Sequence, residues 1–174
     1  MNKLHNAMIS KRLEEELNKQ LNAEMYSAYL YLSMSAYLSK ENLNGFSHWM
    51  LLQFEEEQVH AMKFFQYILD RGGEVKLEKI NKPILSWNGI IDVYENVFKH
   101  EQHITNLINK LVDVAIKEKD HATVAMLQWY VSEQVEEEAT VSELLDQLRI
   151  IDGKGSGLFM LDREAKARTS NISK

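Results

Sequence analysis

The chain has 174 residues, 45% apolar and 26% charged, proportions ordinary for one globular domain with enough length for a core. A net charge of −6 argues against nucleic acid as the main partner, and the absence of cysteine excludes disulfides and thiolate metal sites. Any metal is left to carboxylate, imidazole, amide or water, which favours iron, manganese, magnesium or calcium over structural zinc.

One proline and seven glycines in the whole chain predict long helices. Residues 1–17 contain no apolar signal-peptide core and no stretch is apolar enough to span a bilayer, so a cytoplasmic address without a membrane partner is expected. The first helix, predicted over 10–39, spaces Leu17, Leu21, Glu24, Ala28, Tyr31, Ser35 and Leu38 at alternating steps of four and three. A break at Asn42–Gly45 precedes a second helix over 44–71, with Phe46, Met50, Gln53, Glu57, His60, Phe64 and Tyr67 on the same kind of seam. Gly72 and Gly73 end it, and glycine suits the left-handed residue beyond a helix terminus.

The stretch 74–89, which holds Pro83, reads as a long connection. The third helix, 90–118, aligns Tyr94, Val97, Glu101, Ile104, Ile108, Leu111 and Ala115. Lys119 and Asp120 form a short junction, with Asp120 as the N-cap of a fourth helix over 121–151. Its seam is Leu127, Tyr130, Gln134, Glu137, Val141, Leu144 and Leu148. The run Gly153-Lys154-Gly155-Ser156-Gly157 interrupts the chain, followed by a short fifth helix over 158–168 and a polar tail over 169–174. Short links make antiparallel neighbours, whereas the connection between the second and third helices is long enough to travel the length of a bundle. The expectation is a single all-α domain over 1–174, made of two helical hairpins joined by one crossover.

Each seam carries one acid near the middle of its helix: Glu24, Glu57, Glu101 and Glu137. Midpoints meet at one height whichever way a helix runs, so these four and His60 should converge. Buried, mutually repelling carboxylates are costly unless they stay protonated or share cations, and a pair of divalent ions resolves the conflict. Glu57-x-x-His60 sits mid-helix on one face, where the spacing suits a metal, whereas Glu118-x-x-His121 straddles a junction and reads as structural. The acidic runs Glu14–Glu16, Glu55–Glu57 and Glu136–Glu138 read as solvated faces, except that one member of each of the last two turns inward. Tyr31 is either a plain core tyrosine or a hydrogen-bonder and electron donor beside the acids. Trp49, Trp129 and Phe64 read as packing.

With LNAEMYSAYLYLSMSAY around Glu24, EEEQVH ending at His60, KHEQ around Glu101, LQWYVSEQVEEE around Gln134, and GLFMLDREAKAR, the chain resembles bacterial non-haem ferritins over essentially its whole length. The resemblance implies a ferritin-like four-helix bundle with a long crossover and a short C-terminal helix. It implies a ferroxidase that oxidises Fe(II) with O2 or peroxide and stores the product as ferric oxyhydroxide in a hollow homo-oligomeric shell of 24 subunits. By the same resemblance, Glu24, Glu57 and His60 hold a first iron. Glu57 bridges to a second, completed by Glu101 and Glu137 with Gln134 beside it, and Tyr31 is the tyrosine next to the pair. Glu56, Glu133, Glu136 and Glu137 match a third, transit-type iron site.

Departures exclude sister families. Bacterioferritins and rubrerythrin-like proteins carry a second Glu-x-x-His where this chain has Glu137 and Thr140. Bacterioferritins ligate haem through a methionine where this chain has Gln58, so no haem is expected. The rivals are a diiron oxidase or peroxidase without storage, a non-catalytic metal-binding shell, and a DNA-protecting shell. The fifth helix and missing cysteine weigh against the first, the intact ligand set against the second, and the negative charge against the third.

Overall fold

The computed structural model describes residues 9–169. Five helices follow in order: α1 (Lys11–Lys40), α2 (Asn44–Asp70), α3 (Ile90–Lys117), α4 (His121–Ile150) and α5 (Gly155–Ala167). Among the described residues there is no strand. No described helix is long and apolar enough to cross a membrane. The expected tail lies almost wholly outside the described residues.

Local chemistry sets the boundaries. The Ser10 and Asp120 side chains accept from the amides of Leu13 and Thr123, satisfying donors that the first helical turn leaves open. The C-termini of α1 to α4 share one geometry. In each, a residue with φ between 52° and 71° (Asn42, Gly72, Lys119 or Asp152) follows the helix. The next amide then reaches back to close the last turn, as Leu43 N does to Leu38 O at 2.9 Å and Gly73 N to Ile68 O at 2.9 Å. Gly72 marks the position most plainly in a sequence, Asn42 and Asp152 less so, and Lys119 not at all. The fifth helix begins earlier than expected because Gly157 belongs to its first turn: a Cβ there would lie 2.8 Å from the Ile151 side chain. Gly45 likewise allows a close approach, since its Cβ would sit 1.6 Å from the Asp162 carbonyl oxygen of α5. The Asp162 carboxylate in turn accepts from the amides of Gly45 and Phe46 and caps α2.

α1 packs on α2 and α3, α3 on α4, and α5 on α2. The crossover runs along α1, held by side chains at roughly one-turn spacing. Glu14 accepts from Glu74 N, Asn18 and Asn22 exchange bonds with the backbone at 74, 76 and 78, and Tyr37 reaches Trp87 O. Glu14 is therefore a clamp for the crossover rather than part of a merely solvated run.

The seams of α1 and α3 are buried at every expected position. Toward the C-terminal ends of α2 and α4 the buried position moves one residue on, to Ile68 in place of Tyr67 and to Leu145 in place of Leu144. A four-three alternation averages 3.5 residues per turn, and a straighter helix outruns it within a few turns.

The apolar core comes in two pieces. One holds Tyr31, Met34, Leu38, Phe46, Met50, Val97 and Val141, the other Leu13, Leu17, Phe64, Ile68, Ile108 and Leu127. Each fully buried large side chain contributes about 1.5–3 kcal/mol. Between the two pieces lies a polar layer across all four helices: Glu24, Gln53, Glu57, His60, Glu101, Gln134 and Glu137, all buried. The bundle's stability comes from its ends, and its middle is given to groups that are costly to bury.

Candidate metal centre

Glu24, Glu57 and His60 each offer a ligand atom within 4.8 Å of the others. One helical turn on α2 sets Glu57 and His60 on a common face, and His60 Nδ1 lies 3.5 Å from Glu57 Oε2. The Tyr130 hydroxyl donates to the His60 carbonyl at 2.7 Å, which fixes the helix there. Gln20 donates to Glu24 Oε1 at 2.8 Å, leaving Oε2 of Glu24 and Oε2 of Glu57 buried without a hydrogen-bond partner among the described residues. Two unsatisfied carboxylate oxygens beside an imidazole form a donor set suited to a hard or borderline divalent cation.

Glu101 and Glu137 lie in the same layer but are turned to protein donors. The Tyr31 hydroxyl donates to Glu101 Oε1, and Gln134 Nε2 donates to Glu101 Oε2 at 3.1 Å. Gln53 Nε2 donates to Glu137 Oε2 at 3.0 Å. Neutral donors here do in part what a cation would do better.

Electrostatics follow from this geometry. Burial, then the charge of Glu57, pushes the Glu24 carboxyl well above its usual range. Burial, then Glu101, does the same to Glu57. Glu137 is raised to about 8 by burial, then by Glu101 and Glu56. Glu101 is raised by burial, while the Tyr31 and Gln134 hydrogen bonds hold it down. Burial beside Glu101 pushes the Tyr31 phenol well up, so it stays a donor. Without metal, this layer retains protons that ordinary carboxylic acids release.

The other expected residues are spread more widely. Glu133 is half-buried, with Oε1 4.0 Å from His60 Nε2, and Glu136 is exposed. Glu56 is buried beside Glu57, so two members of the run Glu55–Glu57 turn inward, not one. The second is sheltered because Arg168 Nη2 donates to Glu56 Oε2 at 2.6 Å. Nothing on the α2 seam could have announced that arginine, which arrives from α5. Gln20, Gln53 and Thr105 also support the layer. Thr105 accepts from Gln134 and donates to Glu138, and its only sequence signal is a position one turn past Glu101.

Residues 14–151 match the ferritin-like domain family. The chain belongs to the ferritin family. It is 43% identical over 161 residues to a bacterial non-heme ferritin of Bacteroides fragilis (strain 638R), covering 92% of this chain and 100% of that one. A bacterial non-heme ferritin of Campylobacter jejuni is 39% identical, with 91% and 95% covered. Among solved structures, an open-pore ferritin of the hyperthermophilic archaeon Archaeoglobus fulgidus superposes with a TM-score of 0.92 at 46% identity, covering 92% and 99% of the two chains. An engineered closed form of the Archaeoglobus fulgidus ferritin superposes with a TM-score of 0.91. The family is an iron-binding, iron-storage family, and the carboxylate layer of this ferritin is the place its chemistry points to.

Proposed function

We propose that this ferritin oxidises Fe(II) within each subunit and stores the product. Glu24, Glu57 and His60 bind the first iron, and Glu57, Glu101 and Glu137 bind the second, with Gln134 orienting Glu101. The observation that carries this reading is the Glu24–Glu57–His60 cluster, with ligand atoms within 4.8 Å of one another and two buried carboxylate oxygens without a hydrogen-bond partner among the described residues.

As iron enters, the raised carboxyl groups of Glu24, Glu57 and Glu137 give up their protons, and two cations replace repulsion with coordination. Hard oxygen ligands and one imidazole favour the ferric product. Each Fe(II) gives one electron to O2, which takes up two protons and leaves as hydrogen peroxide; peroxide as oxidant takes the same two electrons and leaves as water. The Tyr31 hydroxyl donates to Glu101 and keeps that carboxylate turned toward the second position. Hydrolysis of Fe(III) to oxyhydroxide releases protons, so uptake acidifies an unbuffered solution. Glu56, Glu133, Glu136 and Glu137 serve a third, transit position.

Storage needs a container that one bundle lacks, and the reading includes a hollow homo-oligomer of 24 subunits, without haem, in the cytoplasm. Apolar side chains left open on one subunit support burial between copies: Leu77, Ile84 and Leu85 on the crossover, and Phe159 and Met160 on α5. Aerobic oxidation by Glu101→Ala tests the two-iron arrangement. Loss of the rapid phase for two irons per subunit is expected, and its survival would overturn the second site.

A further inference from the structure

Arg168 reaches back from the end of α5 to the acidic run of α2. Its Nη2 donates to Glu56 Oε2 at 2.6 Å, and its guanidinium lies 4.5 Å over the Trp49 ring. The two side chains are sheltered, 19% and 9% exposed. The remaining terminal nitrogen, Nη1, is buried with no hydrogen-bond partner among the described residues. A docked helix delivers this arginine: Asp162 caps α2, and His48 Nε2 lies 3.2 Å from the Arg168 carbonyl. Glu56 in turn adjoins Glu57, and its charge bears on both Glu57 and Glu137. Arg168 is thus a fixed cation that the fold sets one residue away from the candidate centre.

A guanidinium and a divalent ion cannot both take the same carboxylate oxygen. The guanidinium binds through directed N–H donors and carries one charge, whereas a metal ion asks for several oxygens at once. We propose that Arg168 is a displaceable latch on Glu56: it occupies the carboxylate in the metal-free protein, and a divalent cation arriving at Glu56 must release it, freeing the end of α5. When the cation moves on, the guanidinium returns to Glu56. An ion at this position is therefore bound only in passing, and its occupancy is coupled to the docking of α5 on α2. The inference rests on the metal reading of Glu24, Glu57 and His60.

The test is a calorimetric titration of the assembled, metal-free protein with Zn(II), which binds without redox chemistry. Hydrogen exchange of the segment 162–169 is followed alongside. Wild type should show strong binding at the paired positions of Glu24, Glu57, His60, Glu101 and Glu137, and one further, weaker event. Arg168→Gln should tighten the weaker event by about tenfold and leave the strong one in place, because an opposed, sheltered ion pair has been removed. Glu56→Gln should abolish the weaker event. In wild type, filling the weaker position should speed exchange in 162–169; in Arg168→Gln that exchange should be fast before any Zn(II) is added. Equal affinity for the weaker event in wild type and Arg168→Gln, with the strong event intact, overturns the latch and leaves the metal reading standing. Absence of strong binding in wild type overturns both. If Arg168→Gln undocks α5 altogether, Arg168→Lys, which keeps the charge but loses the fork and the ring stack, should still tighten the weaker event, and no change there overturns the latch as well.

Discussion

The Tyr31 hydroxyl donates to Oε1 of Glu101, so one phenol on α1 ties the first hairpin to the carboxylate layer of the second. Both side chains are fully buried. Tyr31→Phe leaves Glu101 one donor short in a place water does not reach. We expect a loss of about 1–3 kcal/mol in the stability of the metal-free protein, read from urea denaturation. The variant should still bind metal at Glu24, Glu57 and His60, which Tyr31 does not touch. Unchanged stability would mean that this bond contributes nothing to the layer.

Glu57 has an oxygen without a hydrogen-bond partner among the described residues, and the charges of Glu101, Glu137 and Glu56 oppose its own. Glu57→Gln removes one member of the crowd at nearly constant volume. Its metal-free thermal midpoint should rise, by about 2–4 °C for each kcal/mol relieved, while fast oxidation of Fe(II) disappears. A clear fall in that midpoint would undo the picture of a strained cluster.

The same crowding sets a pH dependence of definite sign. Glu137 is raised from 4.5 to about 8 in the folded protein, and Glu24, Glu57 and Glu101 are raised too. Between those pH values the native state holds protons that the unfolded chain has released, so stability must fall as pH rises through the window. Asp120, held low by Arg71, acts oppositely only below its usual 3.8, and His100, lowered by burial from 6.5 to about 4, opposes the trend below 6.5 as one group against four raised carboxyls. Urea midpoints of the metal-free protein at about pH 5, 6.5 and 8 should therefore decrease in that order. The fall should be shallower in Glu57→Gln and should be gone once the site is loaded with metal, leaving only the opposite slope of His100 below pH 6.5. A rising midpoint over this range would contradict the protonated layer.

The bundle was legible because helical periodicity leaves a trace in the sequence. Evenly stepped seams through Leu17–Leu38 and Tyr94–Ala115 carry the buried faces of α1 and α3, and an acid at the centre of each of four seams marks the polar layer. The drift to Ile68 and Leu145 was not legible, since a fixed four-three step carries no information about how straight a helix is. Partners far apart in the chain left no periodic mark either. Arg168 meets Glu56 only because Gly45 and Asp162 let α5 lie close on α2, and a charged residue near a chain end looks like surface. For the same reason Asn18 and Asn22 read as exposed polar residues, although they hold the crossover through its backbone.

The central claim is that the buried layer oxidises iron and that the product stays inside an assembly. Aerobic oxidation of Fe(II) by the purified protein, beside His60→Ala, tests it most directly, with ferric absorbance and particle size followed together. The account predicts fast oxidation in wild type, its loss in the variant, and iron retained in a large soluble particle. Oxidation no faster than buffer in both proteins would contradict it, leaving a ferritin fold whose carboxylate layer does not do this chemistry.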